Sequence, residues 1–197
     1  MGALKFQTKE LPKKTWPDYE RLFRKPGEWG GCWCVYYHRT KPVPRVERER
    51  LTKEQRIARN RQDKKVLVEE GRSHGELVYS GDEPVGWCQY GLRDELPRID
   101  AKRTYRKLSL DAGGEKLWRI TCFCVDRKYR KRGVARVGLK AALDSIRRRG
   151  GGLVEAYPTT GWKDLESWFG TASMFEDEGF KTVAPLGKNN VLMRRVV

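Results

Sequence analysis

Between residues 116 and 152 the chain changes character three times, in an order that leaves few folds open. "KLWRITCFCV" (116–125) is aromatic and β-branched enough to form a buried strand. "DRKYRKRG" (126–133) is a short cationic loop ending in glycine. Leu139, Ala142, Leu143 and Ile146 then recur at helical spacing, and three glycines at 150–152 stop the helix. The first turn of such a helix exposes unpaired backbone N–H groups at the positive end of its dipole, which makes an anion site. Gly133 and Ala135 are small enough to let backbone amides approach a phosphate. Seven Lys or Arg among residues 122–140 raise the local potential. A small, highly charged ligand at the helix start is therefore expected. A nucleic acid along the basic face is the competing reading.

The whole chain shares this bias. Its 197 residues carry 42 Lys+Arg against 26 Asp+Glu, a formal charge of +16, which favours acidic partners without choosing among them. No run approaches the ~20 apolar residues of a membrane span, and the N-terminus lacks a signal-peptide core. The five cysteines are odd in number and have no secretory context, so a reduced, cytoplasmic protein is expected. Cys32/Cys34 and Cys122/Cys124 form two C-x-C pairs. Structural zinc sites space such pairs by two to four residues, and a strand puts both thiols of C-x-C on one face, where core packing also explains them. No metal is assigned on this basis.

Elsewhere, residues 3–9 read as a strand. "TWPDYERLFRKPG" reads as a helix with Thr15 as N-cap and Pro17 in its first turn. A second helix, with a largely solvated charged face, spans 51–70. "ELVYSGDEPVGWCQYG" (76–91) is a hairpin by its tight "SGDEP" turn. Residues 92–115, with poor periodicity, read as an inserted, mobile excursion. "LVEAYP" is a strand, 162–178 are mostly helical, and "FKTVAP" and "NVLMRRV" form a closing strand pair. Strands alternating with helices predict an α+β (α/β-type) fold. One domain over 1–197 is expected, with an N-terminal segment 1–53 and the insertion 92–115.

Arg130, Gly133 and Ala135 fit [RQ]-x-x-G-x-[GA], and Arg130 lies five residues after the apolar strand residue Val125. This resembles the acetyl-coenzyme A motif of the GNAT superfamily of N-acetyltransferases. "GDEPVGW" is similar to that family's strands ahead of the cofactor strand. "ASMFEDEGFKTV" is similar to its late helix and turn, with Ala172, Phe175, Gly179 and Phe180 matching all but a tyrosine. The resemblance spans roughly residues 54–197. Including "GCWC", the whole chain looks like a bacterial subgroup of the family. It implies a GNAT fold: a central mixed, mostly antiparallel sheet flanked by helices.

The resemblance also implies acetyl-CoA as cofactor and direct acetyl transfer to an amine. The backbone of Phe123, Cys124 and Val125 would hold the pantetheine arm. Arg130, Lys131, Arg132, Gly133, Val134 and Ala135 would hold the pyrophosphate, and the Phe123 amide would face the acetyl oxygen. Two departures stand out. Arg119 occupies the position of a glutamate base and cannot act as one. Phe175 replaces the tyrosine that protonates the leaving thiolate. Ser173 is the candidate thiolate donor, beside the cofactor, and Glu155 the candidate base, each with an ordinary structural reading beside it. Trp29, Trp33, Tyr36 and Tyr157 are candidate acceptor contacts, the tryptophans and Tyr36 belonging to an aromatic group equally readable as core.

Three functions follow in order: an acetyltransferase for a small-molecule amine, the same chemistry on a protein amine or aminoacyl-tRNA, and a basic nucleic-acid-binding module that keeps the fold without catalysis. No zinc-finger, helix-turn-helix or RNP signature supports the third. No membrane partner is expected, and a homodimer is compatible with all three.

Overall fold

The computed structural model describes residues 5–25, 31–111, 113–160 and 168–197. In chain order the elements are β1 (Phe6–Glu10), α1 (Trp16–Phe23), α2 (Arg45–Arg50), α3 (Lys53–Glu69), β2 (His74–Ser80), β3 (Glu83–Leu92), α4 (Arg103–Arg106), β4 (Leu117–Val125), α5 (Val134–Arg148), β5 (Leu153–Ala156), α6 (Ala172–Glu176), β6 (Lys181–Pro185) and β7 (Val191–Val196). The seven strands form one sheet in the order β1-β2-β3-β4-β5-β7-β6. Every neighbouring pair is antiparallel except β4 and β5. The sheet is thus mixed and mostly antiparallel, as expected.

Helix α5 covers one face. Leu139, Ala142, Leu143 and Ile146 are all buried against strand residues including Cys88, Tyr90, Ile120 and Val154. Burying each large aliphatic side chain contributes ~1.5–3 kcal/mol before entropy is counted. Gly86 sets how closely this helix sits: a Cβ there would come within 2.4 Å of Val134 Cγ1, so only glycine admits that valine. The opposite face carries α1, part of the 31–38 turn and α3, with Trp16, Tyr19, Phe23, Trp33 and Trp87 in one aromatic cluster.

Several expectations change. The helix expected over 51–70 is α3, which Thr52 starts with a capping box made with Gln55; the short α2 before it, ending where Leu51 turns extended, is not among the expected elements. Thr15 stands at the N-cap of α1, yet its hydroxyl turns back to donate to the Glu10 and Pro12 carbonyls. The solvated face expected of the second helix is interrupted by Lys64, which is fully buried. Burial pushes its ammonium down to about 8. The 92–115 excursion is no mobile insertion over its described residues, because Leu96, Ile99 and Tyr105 are buried with Tyr157 and Leu192 in a core of their own. Of the predicted 162–178 helix, the described residues 168–178 hold α6 alone, and 162–167 lie outside the described residues.

Beneath α5 lies a buried carboxyl. Glu76 on β2 accepts a hydrogen bond from Ser145 Oγ at 2.5 Å, and Ser145 in turn accepts one from Arg148. Burial lifts the Glu76 carboxyl from an ordinary 4.5 to about 7, with Glu10 adding to the rise and Arg148 and Arg149 opposing it. The folded state therefore prefers the protonated form. Stability linked to Glu76 is complete below about pH 4.5 and falls as pH rises towards 7, by ~3 kcal/mol in total. Urea unfolding at several pH values should show Glu76→Gln gaining on the wild type across that window and levelling off above it. A difference that does not change with pH would contradict this account.

Candidate active site

The site begins where two strands part. β4 pairs with β5 only from Leu117 to Ile120, while β4 runs on to Val125. Just past that point, Ile120 faces Tyr90 and Cys122 faces Gln89, so Thr121 is a one-residue bulge. The extra residue reverses the alternation of side chains. Trp118, Ile120 and Phe123 consequently all face the α5 layer, and Cys122 and Cys124 face the α1 layer. Phe123 meets Phe175 edge-on, with centroids 6.0 Å apart. Its amide, on the edge freed by β5, donates to the Trp168 carbonyl at 2.6 Å. Residues 168–171 thus run alongside the opening, and Thr171 bridges Thr159.

The loop after β4 is built for an anion. Asp126 accepts from the Lys128 amide at 2.9 Å and pairs with Lys25, which folds the chain into a single tight turn over Arg127–Tyr129. Arg130 Nε donates to the Val125 carbonyl at 3.2 Å and ties the loop to the strand end. Lys131 and Gly133 both have left-handed backbones, with φ of 60° and 84°. No side chain caps α5, so the amides of its first turn remain available. Lys131, Arg132 and Gly133 are exposed, and a Cβ at Gly133 would meet nothing within 4 Å. An open cradle, uncapped amides and exposed cations fit a pyrophosphate. Val134 offers only its amide, because its side chain is core.

The catalytic candidates separate. Ser173 is exposed near the start of α6, its Oγ 3.2 Å from that of Thr171. Phe175, at the tyrosine's position, is fully buried against Phe123 and Phe180. Glu155 is not placed as a base. It is fully buried, and its carboxylate accepts from the Tyr105 and Tyr157 hydroxyls and from Arg194, with Arg119 Nε at 3.7 Å. It also sits opposite Arg119, four residues or ~13 Å along the strand from Phe123. Arg119 itself is held by Asp100 at 2.6 and 2.8 Å and by the Leu96 carbonyl.

The acceptor candidates are corrected likewise. Trp33 is core, stacked among Trp16 and Phe23 with its carbonyl accepting from Tyr19. Tyr157 is buried on Glu155. Trp29 lies outside the described residues. Tyr36 is exposed, with the Arg98 guanidinium 4.1 Å from its ring centroid.

Two groups escaped the sequence reading. Lys102 Nζ lies 5.3 Å from the Tyr37 ring and 5.4 Å from that of Phe169, the neighbour of Trp168. Among the described residues, neither Lys102 nor Arg98 has a carboxylate within ion-pair distance. Burial and Arg98 both push the Lys102 ammonium down. Both cations come from the irregular 92–111 stretch, whose sequence carries no periodic signal.

Residues 13–161 match the Acetyltransferase (GNAT) family, and the chain belongs to that family. It is an N-acetyltransferase by class, with acetyl-CoA as the family's acyl donor. The fold is also that of an acetyltransferase from Thermus thermophilus, at 16% identity and TM-score 0.52, with 100% of each chain covered. It likewise matches a PaiA N-acetyltransferase from Thermoplasma acidophilum in complex with coenzyme A, at 10% identity and TM-score 0.54, covering 98% of this chain and 99% of that one. The ribosomal-protein-S18-alanine N-acetyltransferase of Escherichia coli aligns at 9% identity and TM-score 0.50, covering 98% and 94%. Among curated proteins, no sequence matches.

If Glu155 is an anchor rather than a base, removing it leaves Arg119 and Arg194 facing an empty space. Glu155→Ala should then cost ~3–5 kcal/mol in urea unfolding. A variant of unchanged stability that had lost only turnover would restore Glu155 as a base.

Proposed function

We propose that this chain transfers the acetyl group of acetyl-CoA directly to a primary amine of a small molecule that also carries an anionic group. The observation that carries the second half is the pair Arg98 and Lys102. These cations have no carboxylate partner among the described residues, and they rest on Tyr36, Tyr37 and Phe169 beside the opening next to β4. A carboxylate or phosphate on the acceptor supplies the missing countercharge and orients the amine.

When bound, acetyl-CoA supplies an activated thioester. The chain's contribution is position and charge. The α5 amides from Val134 onward, with Lys131 and Arg132, hold the pyrophosphate, and the backbone of Phe123, Cys124 and Val125 lines the arm. The Phe123 N–H, once released from the Trp168 carbonyl, donates where the acyl oxygen gains negative charge. The Ser173 hydroxyl is the exposed donor on α6 for the departing thiolate. Transfer requires a neutral amine. Arg98 and Lys102 help here too, because like charges nearby lower an ammonium's pKa and thereby lessen the need for a base.

The donor half is tested by thermal shift: acetyl-CoA should raise the melting temperature of the wild type and leave Gly133→Glu unmoved. No shift in the wild type would overturn the reading. For the acceptor, paired amines with and without a carboxylate should be compared by release of free thiol. Lys102→Ala should raise KM for the carboxylate-bearing amines ~10–100-fold, the worth of one charged hydrogen bond, and leave the neutral ones unchanged. Ser173→Ala should lower kcat, by up to ~100-fold, with little effect on cofactor affinity. Equal turnover of neutral and acidic amines, unaffected by Lys102, would remove the anionic requirement.

A further inference from the structure

The bulge that turns Phe123 towards α5 sends Cys122 and Cys124 to the opposite face, where they meet Cys34. The three sulfurs are 3.1 Å (Cys34–Cys122), 3.9 Å (Cys34–Cys124) and 3.8 Å (Cys122–Cys124) apart. All three are buried, and all three thiols lie within 4.8 Å of one another. The backbone is strained where it brings Cys34 there: Trp33 and Cys34 are consecutive non-glycine residues in the left-handed region, with φ of 51° and 49°. Ordinary core packing does not need that conformation.

A second, independent observation is Lys64. It is fully buried and projects into the same aromatic layer, 5.3 Å from the Trp87 ring and 5.6 Å from that of Tyr19. Its hydrogen-bond partner is His38 Nε2 at 3.4 Å. That nitrogen is an acceptor, because His38 Nδ1 must donate to the Glu95 carbonyl. Among the described residues no carboxylate pairs with Lys64, and the acidic groups bearing most on its charge are thiols, Cys34 and Cys122 first. A buried, uncompensated ammonium is costly.

We propose that Cys34, Cys122 and Cys124 bind a thiophilic d¹⁰ divalent cation, zinc(II) by preference, with Lys64 as its charge partner. Binding releases three thiol protons. The dication and three thiolates sum to −1, which the ammonium cancels, so a buried layer that would otherwise hold one uncompensated positive charge becomes neutral. Zn–S bonds of ~2.3 Å place tetrahedrally arranged sulfurs ~3.8 Å apart. Two of the three separations already match, and the Cys34–Cys122 pair must open by ~0.7 Å. The one-residue spacing within each C-x-C pair counts against zinc only where both pairs bind as units. The cluster instead draws one thiol from the first pair and two from a bulged strand. The ion would tie the 31–38 turn to β4, behind the strand that presents the Phe123 amide.

The test is metal content and binding by the full-length reduced protein. Protein purified without chelator should hold close to one zinc per chain by elemental analysis. Stripped protein should take up one cobalt(II) with a thiolate-to-metal charge-transfer band that zinc(II) abolishes. Cys122→Ser should weaken zinc binding more than ~100-fold, beyond what loss of an outer-sphere partner does. Cys88→Ala, whose thiol lies on the α5 face, should bind as the wild type does. A wild-type protein that takes up neither ion overturns the proposal whatever the variants do. A Cys34–Cys122 disulfide in place of bound metal, or equal binding by Cys122→Ser, overturns it as well.

Discussion

One unpaired residue, Thr121, governs both functional faces of the sheet. Without it, period-two alternation would set Phe123 beside Arg119, away from α5, and would turn Cys122 and Cys124 the other way. With it, the strand's last four residues, Cys122–Val125, change sides just beyond the last pairing with β5, at Ile120. An open strand edge, an amide aimed along it and an aromatic floor of Phe123 on Phe175 all follow from that slip. So does the thiol cluster behind. A bulge here is thus a device for making a strand do two jobs, gripping on one edge and packing on both faces.

The electrostatics divide the molecule into charges that answer one another and charges that do not. Glu155, Arg119, Asp100, Tyr105, Tyr157 and Arg194 form one buried network in which each charge meets its opposite. Such a network holds β4, β5, β7 and the 92–111 stretch in register, and it is closed to chemistry for the same reason. Among the described residues, the cations without a carboxylate partner include Arg98 and Lys102 on aromatic walls, Lys131 and Arg132 before α5, and Lys64 in the core. In the proposed function, an acceptor amine kept neutral by such cations makes the missing carboxylate base less of a puzzle.

Much of this was legible in the sequence. The β4–loop–α5 unit declares itself through apolar periodicity, a glycine and a cluster of charge, all local signals. The late "SMFEDEGF" stretch announces a helix and its glycine stop for the same reason. What sequence could not show are properties set by partners far along the chain. Glu155 and Tyr157 look available until Arg119, Arg194 and Tyr105 arrive from three other elements. Trp33 looks like a wall residue until α1 stacks against it. Lys64, on a helix of almost uniform polarity, carries no hint that the sheet will enclose it. The bulge itself leaves no mark in "WRITCFC", so the face of every residue after Thr121 was open to a one-position error.

The hydrogen bond between Phe123 and Trp168 has a thermodynamic meaning for the resting enzyme. A donor kept bare for a future acyl oxygen would carry a desolvation penalty whenever the site is empty. Here a backbone carbonyl stands in, so engaging a new acceptor exchanges one hydrogen bond for another and the net change is only their difference. In the proposed mechanism the free energy of recognition is then left to the loop before α5, far from the reacting bond. The donor gains its advantage only as the acyl oxygen becomes more negative than a peptide carbonyl. In the proposed mechanism, ground-state affinity and rate acceleration are in this way assigned to different groups at one end of β4, the loop before α5 and the Phe123 amide.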